Sequence, residues 1–172
     1  MLWEIIEEKL GSAREVMRWF RTAANASLRA GKEPSWDSPS GFPVEQRYRE
    51  YESFRVRTAI GEKLSVRAMV REPTTVMDKA RHRSSMAPNF IHSIDAAVMM
   101  RVVNACAAEG IRVSAIHDSF ATHPSDAPRL AVVIREEVVR IFSQDLLDGL
   151  PKRPAYGDLN VREVLDNPYF FS

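Results

Sequence analysis

The sequence holds a single cysteine, Cys106, and this excludes an internal disulfide bond. No apolar run approaches the roughly 20 residues that a membrane-spanning helix needs. The acidic, amphipathic N-terminal region does not have the pattern of a secretory signal peptide. The net charge is also close to zero, at +1 over 172 residues, so the overall charge does not indicate what kind of partner the protein binds. We therefore expect a soluble, intracellular protein without a membrane partner.

The composition is that of an ordinary globular protein. Hydrophobic residues make up 45% of the chain and charged residues 27%, which is enough to bury a core and too apolar for a disordered chain. The length suits one domain, or one large piece of a bigger one. Cys106 lies within an apolar helical pattern, and we interpret it as a small core residue.

Helical periodicity predicts three long helices. The first covers residues 1–30, the second covers residues 88–109, and the third covers residues 126–148. Pro88 suits a first helical turn, Gly110 suits a helix C-terminus, and Asp126 suits an N-cap. Residues 157–172 are predicted to form a C-terminal segment with a short helical turn and an aromatic end.

Alternation of apolar and polar residues predicts two antiparallel hairpins. Residues 44–70 alternate as a β-ribbon with one apolar and one basic face, and residues 111–123 alternate around a turn at His117, Asp118 and Ser119. Residues 73–85 are polar and without a pattern, which predicts a loop. Together these elements predict an α+β fold, in which long helices pack on a small antiparallel sheet.

Basic residues are concentrated between Arg47 and Arg83. This stretch has ten basic residues against five acidic ones, a local surplus of five positive charges in a nearly neutral chain. Such a surplus is typical of an ordinary solvated surface and equally of a nucleic-acid-binding surface. Both interpretations stay open at this point.

Asp118 is the residue that is most indicative of chemistry. A carboxylate at the tip of a β-hairpin is held rigidly by the strands while its oxygens project outward. Mg²⁺ is bound in proteins by one or two carboxylates together with phosphate oxygens and water. The same position also suits an aspartate that only stabilises a turn. The tripeptide alone does not decide between these two roles.

Two motifs in a fixed order resemble the C-terminal part of bacteriophage and mitochondrial single-subunit RNA polymerases. The first is residues 87–93 (APNFIHS), and the second is residues 116–120 (IHDSF). Residues 36–48, with a tryptophan–proline–glycine loop, and residues 157–165 (GDLNVREVL) are similar to the same family in register, as is the aromatic end. The resemblance therefore covers nearly the whole chain, and its two central motifs are specific.

The resemblance implies a polymerase palm with templated nucleotidyl transfer from ribonucleoside triphosphates, on a DNA template and an RNA transcript, by two-metal Mg²⁺ chemistry. Asp118 would be one of the two metal-binding aspartates, with His117 beside the growing RNA end. His92 would reach the minor-groove edge of the nascent base pair. The remaining implied contacts to substrate or nucleic acid are Asn89, Ser119, Arg81 and Arg83. Packed or surface roles remain open alternatives for His117, His92 and the arginines.

The sequence departs from the family in two respects. Ile94 stands where members commonly carry glutamine, which puts a polar network around His92 in doubt. The first catalytic aspartate and the helix with the catalytic lysine and tyrosine lie N-terminal to everything matched. The sequence therefore predicts a fragment that is inactive alone and that could dimerise through apolar surface exposed by truncation.

Two other functions are weighed against this one. A family A DNA polymerase also has a His-Asp pair at this turn, but that family places glutamate where this chain has Ser119. A non-catalytic nucleic-acid-binding module derived from a polymerase would account for the basic ribbon. For localisation we expect the cytoplasm of a phage-infected or prophage-bearing bacterium, ahead of the mitochondrial matrix.

Overall fold

A computed structural model of the chain describes residues 11–60, 64–116, 118–147, 159–167 and 170. The described elements alternate between helices and hairpins, so the predicted α+β class is confirmed. In chain order they are α1 (Gly11–Arg29), β1 (Ser35–Asp37), β2 (Pro43–Glu45), β3 (Arg49–Ile60), β4 (Leu64–Met77), α2 (Lys79–Ala108), β5 (Val113–Ile116), β6 (Ser119–Thr122), α3 (Ala127–Phe142) and α4 (Glu163–Asp166).

The strands form three separate two-stranded antiparallel sheets and not one small sheet. The β1–β2 pair joins Trp36 to Val44, and the β5–β6 pair joins Ile116 to Ser119. The β3–β4 pair is much longer and forms an extended two-stranded ribbon. No described helix packs along the faces of this ribbon. The helices therefore supply most of the described core.

The first core cluster joins α1 to the middle of α2. Phe20 of α1 contacts Phe90 of α2 with 4.9 Å between ring centroids, and Phe90 also lies 5.8 Å from the Trp36 ring. The buried members are Trp19, Phe20, Ala24, Met86, Phe90, Ile94, Ala97 and Ile141. Helical spacing on α1 and α2 explains this cluster, because residues three or four apart share one face.

The second core cluster joins the C-terminal half of α2 to α3. Its buried members are Val102, Cys106, Leu130, Val133, Ile134 and Val138. Val113 of β5 and Phe120 of β6 pack against it, so the short hairpin is attached to the two helices. Cys106 is fully buried, which confirms its interpretation as a core residue.

Helix α2 meets the length and composition criteria for a membrane-spanning helix. A core helix meets the same criteria, and α2 packs against both α1 and α3. Its buried positions, among them Phe90 and Val102, contribute to both core clusters. These contacts are those of a helix at the centre of a folded core.

The prediction of a loop over residues 73–85 was wrong. Strand β4 continues to Met77, and α2 begins at Lys79 and not at Pro88. Asp78 is the N-cap of this helix, since its side chain accepts a hydrogen bond of 2.9 Å from the Arg81 amide. Pro88 therefore lies inside the helix, and the cap signal of Asp78 was overlooked.

Other boundaries also differ from the predictions. The ribbon begins at Arg49 and not at residue 44, because residues 43–45 pair with β1. Helix α3 ends at Phe142, and its N-cap Asp126 makes no side-chain capping hydrogen bond. Residues 1–10, which belong to the first predicted helix, lie outside the described residues. So do residues 148–158 and the end of the predicted C-terminal segment, whose described part contains the short helix α4.

Candidate functional site

Asp118 lies in the tight turn between β5 and β6, and its side chain is exposed. The pair Ile116–Ser119 closes the hairpin on either side of this turn. His117, which precedes Asp118 in the sequence, lies outside the described residues. The fold therefore presents the Asp118 carboxylate to solvent at a hairpin tip, with Ser119 beginning the return strand.

The hairpin is fixed at its base by both packing and polar contacts. The Thr122 hydroxyl donates a 2.7 Å hydrogen bond to the carbonyl of Arg112. Just outside the hairpin, the Arg129 guanidinium binds the Glu109 carboxylate through two hydrogen bonds of 2.7 and 2.6 Å. Because Glu109 ends α2 and Arg129 lies in the first turns of α3, this ion pair joins the two chain segments that enter and leave the hairpin.

The Glu109–Arg129 pair should be visible in a titration. The hydrogen bond from Arg129 lowers the pKa of the Glu109 carboxyl below its ordinary value. A lowered pKa means that the pair stabilises the fold above the ordinary glutamate pKa, and that this contribution is lost as pH falls through the lowered value. We expect carboxyl-detected NMR to show this lowered pKa in the wild-type chain and an ordinary one in Arg129→Gln. Equal values in both proteins would contradict the pairing.

A second polar cluster surrounds Asn89 on α2. The Asn89 amide donates hydrogen bonds of 2.8 Å to Gln46 Oε1 and 2.9 Å to the Tyr48 hydroxyl. Gln46 is itself buried and donates from Nε2 to the carbonyl of His82 at 3.2 Å. Asn89 is thereby held in one orientation by two residues that lie far from it in the sequence.

An open pocket of about 300 Å³ lies beside this cluster. Asn89, His92 and Ser93 of α2 form one wall, and Gln46 also lines the pocket. His92 is exposed, whereas the Ser93 hydroxyl accepts a 2.9 Å hydrogen bond from Trp36 Nε1. The structure thus brings the predicted residues Asn89 and His92 together at one pocket. Ile94 is buried in the core, so it does not contribute to that wall.

Arg81 and Arg83 both lie in the exposed first turns of α2. The Arg81 guanidinium lies 4.6 Å from the centroid of the Tyr48 ring, in a cation–π arrangement. Between them, His82 is fully buried, and neither of its ring nitrogens has a hydrogen-bond partner among the described residues. The edge of Tyr48 packs against the His82 ring at 5.3 Å. Tyr48 therefore connects Arg81 and His82 to Asn89.

The ribbon has two chemically different faces. In its register Ser53 lies opposite Arg71, Arg55 opposite Met69, and Arg57 opposite Arg67, so one face carries four arginines. Phe54 lies opposite Val70 and Val56 opposite Ala68 on the other face. This register confirms the prediction of one apolar and one basic face. Both faces are exposed along most of their length.

Metal binding at Asp118 depends on which other side chains could bind the same ion. No group of three or more histidine, cysteine, aspartate or glutamate side chains that could hold a metal occurs in the described part of the chain. An exposed carboxylate at a rigid tip suits one coordination position of Mg²⁺, which also takes phosphate oxygens and water. Asp118 is therefore one fitting ligand among the described residues.

The predicted site residues fall into separate regions. Asp118 and Ser119 lie on the hairpin held by the second core cluster, whereas Asn89 and His92 lie beside the first. No hydrogen bond or ion pair joins these two regions within the described ranges. Sequence reasoning missed Gln46 and Tyr48 as site residues. Their alternation with charged residues indicated a strand. No local sequence signal indicated that they would contact Asn89, which lies 43 residues from Gln46 and 41 residues from Tyr48.

Comparison with known proteins gives the same family over most of the chain. The family profile described as "DNA-dependent RNA polymerase" matches residues 1–153. The chain is 34% identical to "DNA-directed RNA polymerase 2, chloroplastic/mitochondrial" of Arabidopsis thaliana, over 97% of this chain and 17% of that protein. It is 33% identical to "DNA-directed RNA polymerase 1, mitochondrial" of Nicotiana sylvestris, over 96% of this chain and 17% of that protein. It is also 33% identical to "DNA-directed RNA polymerase 2A" of Nicotiana tabacum, over 96% of this chain and 52% of that protein.

The chain thus spans about a sixth of the length of the first two of these relatives and about half of the third. The matched region includes both central motifs, the Asn89 cluster and the hairpin of Asp118. A profile match over this share of the chain is sufficient to assign the family. The chain belongs to the DNA-dependent RNA polymerase family.

Proposed function

We propose that this chain is part of the catalytic palm of a DNA-directed RNA polymerase, and that Asp118 is one of its metal-binding carboxylates. The observation that carries the proposal is the exposed Asp118 side chain at the turn of a hairpin anchored to two helices. A rigid carrier matters because a metal ligand must stay within a fraction of an ångström of its working position. The family A DNA polymerase alternative is set aside, because the family is that of the RNA enzymes.

The chemistry that magnesium would supply here is a lowered pKa of the attacking hydroxyl and stabilisation of the leaving pyrophosphate. Asp118 would hold a magnesium ion, His117 would lie beside the growing RNA end, and Ser119 would contact substrate or nucleic acid. The second carboxylate would come from a segment like those that the longer relatives carry. The DNA template, the RNA transcript and the ribonucleoside triphosphates are the proposed partners.

The pocket beside Asn89 and His92 is the proposed position of the nascent base pair. Asn89 is fixed by Gln46 and Tyr48, so its amide is oriented before any ligand arrives. His92 is exposed on the same wall. An exposed donor next to a preoriented amide is suited to hydrogen bonding with base edges in a minor groove.

The isolated chain is expected to be inactive, since it contributes one of two carboxylates. Purified chain supplied with Mg²⁺, a primed DNA template and all four ribonucleoside triphosphates should show no templated incorporation. The positive control is a chimeric polymerase, in which this chain replaces the matching 17% of the Arabidopsis relative. Template-dependent incorporation by the isolated chain would contradict the proposed incompleteness of its site.

A non-catalytic nucleic-acid-binding role is the second candidate, and the basic face of the ribbon favours it. Arg57 and Arg67 lie directly opposite each other across the strands, where like charges repel. A phosphate placed between them would offset that repulsion. The two candidates are compatible, because a polymerase must also hold its template.

Replacing both arginines tests this role directly. We expect Arg57→Gln/Arg67→Gln to weaken duplex-DNA binding and to reduce the slope of log affinity against log salt by about 1.8, or about 0.9 for each lost phosphate contact. Fluorescence anisotropy at several salt concentrations gives both quantities. Arg162→Gln, at an exposed position outside the ribbon, is the control and should leave the slope unchanged. An unchanged slope in the ribbon variant would remove the support for this surface.

Two further expectations remain proposals. A phage or prophage source in bacterial cytoplasm stays a prediction, since the Arabidopsis thaliana and Nicotiana sylvestris relatives are named as chloroplastic or mitochondrial enzymes. Dimerisation through apolar surface also stays a prediction. Sedimentation velocity of the purified chain over a range of concentrations measures it.

A further inference from the structure

The apolar face of the β3–β4 ribbon is exposed at most of its described positions. Phe54, Val56 and Val70 leave 44%, 43% and 41% of their surfaces accessible. Thr58 and Ala68, also on this face, are exposed as well. These side chains form one apolar patch, whose size alone would be ordinary on a soluble protein.

The ribbon has little to stabilise it in isolation. Within the described part of the chain, its strands of 12 and 14 residues pair only with each other, and a lone two-stranded hairpin is at best marginally stable in water. Stability comes when such a hairpin packs its apolar face against another surface. The base is already anchored, because the Asp78 amide donates to the Tyr48 carbonyl at 3.1 Å and Arg49 is ion-paired with Glu33. The part of the ribbon that lacks a packing partner is therefore the part beyond this anchored base.

The charges on this face indicate the chemistry of the surface that would pack against it. Glu52 lies directly opposite Glu72, on the same face as Phe54 and Val70 and next to them. Two like charges in a cross-strand pair destabilise the ribbon unless a cation lies close by. The same pair would repel nucleic-acid phosphates, so this face is not suited to DNA or RNA. A partner segment with apolar side chains flanked by lysine or arginine would complement this face.

The size of the face favours an occupant from the same polypeptide over a second copy of the chain. Its apolar part covers about 20 Å along the ribbon and about 10 Å across it, or roughly 200 Å². A stable interface between separate proteins buries about 800 Å² on each partner. A segment of the same polypeptide meets this surface at high effective concentration, so a smaller contact is enough.

We propose that this face is the docking surface for a polymerase segment outside the region matched here, of the kind that the longer relatives carry. The segment presents apolar side chains with a lysine or arginine beside Glu52 and Glu72. This inference rests on the proposed function, because it assigns the chain to a larger polymerase. It leaves the arginine face of the same ribbon free for another ligand.

Hydrogen–deuterium exchange of the ribbon amides tests the docking. The isolated chain is compared with the chimeric polymerase defined above, after a thermal melt has shown that the chimera is folded. Ribbon amides should be protected at least tenfold more in the chimera than in the isolated chain. Val56→Thr/Val70→Thr should remove that gain without changing exchange in the isolated chain, since threonine keeps the strand preference but adds a hydroxyl. Met69→Thr, at a 62% exposed apolar residue on the arginine face, is the matched control and should retain it.

A dye-binding measurement tests the exposed face without the chimera. The isolated chain should bind 1-anilinonaphthalene-8-sulfonate, and Val56→Thr/Val70→Thr should reduce the fluorescence at least twofold while Met69→Thr does not. Equal ribbon exchange in chimera and isolated chain would overturn the proposal, as would equal dye binding by all three proteins. A dimer of the isolated chain that the double variant dissociates would also overturn it, by identifying a second copy as the occupant. Incorporation by the chimera that depends on Asp118 supports the proposed function whichever result the ribbon gives.

Discussion

Replacing Asp118 by asparagine is expected to reduce the kcat of templated incorporation by the chimeric polymerase on the order of 1,000-fold. Asparagine keeps the size of the side chain and its suitability for a turn, but it removes the negative charge that would hold a divalent cation. A metal ion contributes several kcal/mol of charge stabilisation in the transition state, and about 4 kcal/mol corresponds to that factor in rate. Because the side chain is exposed, the fold should not change.

The control for this experiment is Asp126→Asn. Asp126 follows the hairpin at the start of α3, and its carboxylate accepts a hydrogen bond of 3.1 Å from the Ser125 hydroxyl. Both variants lose one negative charge, from the hairpin turn and from the start of the helix that follows it, so a general effect of net charge would appear in both. Incorporation rates at several Mg²⁺ concentrations separate weaker metal binding from other losses. An Asp118→Asn enzyme that retains more than a tenth of the wild-type rate would contradict the metal-binding role.

The hairpin around Asp118 could be predicted because its signals are local. Alternation over residues 113–116 and 119–122, with a turn residue between them, is sufficient for a two-stranded unit. The faces of the ribbon were predictable for the same reason, since side chains alternate along each strand. What alternation cannot supply is the partner of a face. The exposure of Phe54 and Val56 could therefore not be predicted from the sequence.

The Asn89 cluster could not be predicted, because it depends on tertiary contacts. Gln46 and Tyr48 meet Asn89 only after the chain has passed through the whole ribbon between them. The start of α2 was misplaced for a different reason. Pro88 is a strong signal for a first helical turn, whereas the N-cap signal of Asp78 was overlooked. A proline can lie within a long helix when tertiary packing compensates, and the neighbouring Phe90 is deep in the core.

Phe90 is expected to be the residue whose truncation destabilises the fold most. Its side chain is 5% exposed and packs between the rings of Phe20 and Trp36, so it connects α1, α2 and the β1–β2 hairpin. Phenylalanine-to-alanine changes in cores cost about 3–5 kcal/mol, through lost burial and the cavity that remains. The total stability of a domain is about 5–15 kcal/mol, so Phe90→Ala should remove a large part of it.

Urea denaturation followed by tryptophan fluorescence measures this loss, since Trp19 and Trp36 both lie in or against the same cluster. The midpoint should fall while the slope stays constant, because the surface exposed on unfolding hardly changes. Ile91→Ala is the matched control: it is the next residue on the same helix, but 51% of its surface is exposed. Its cost should stay below about 1 kcal/mol. Equal losses in the two variants would mean that Phe90 is not buried in solution, and the pocket wall built from Asn89 and His92 would then lose the core on which it rests.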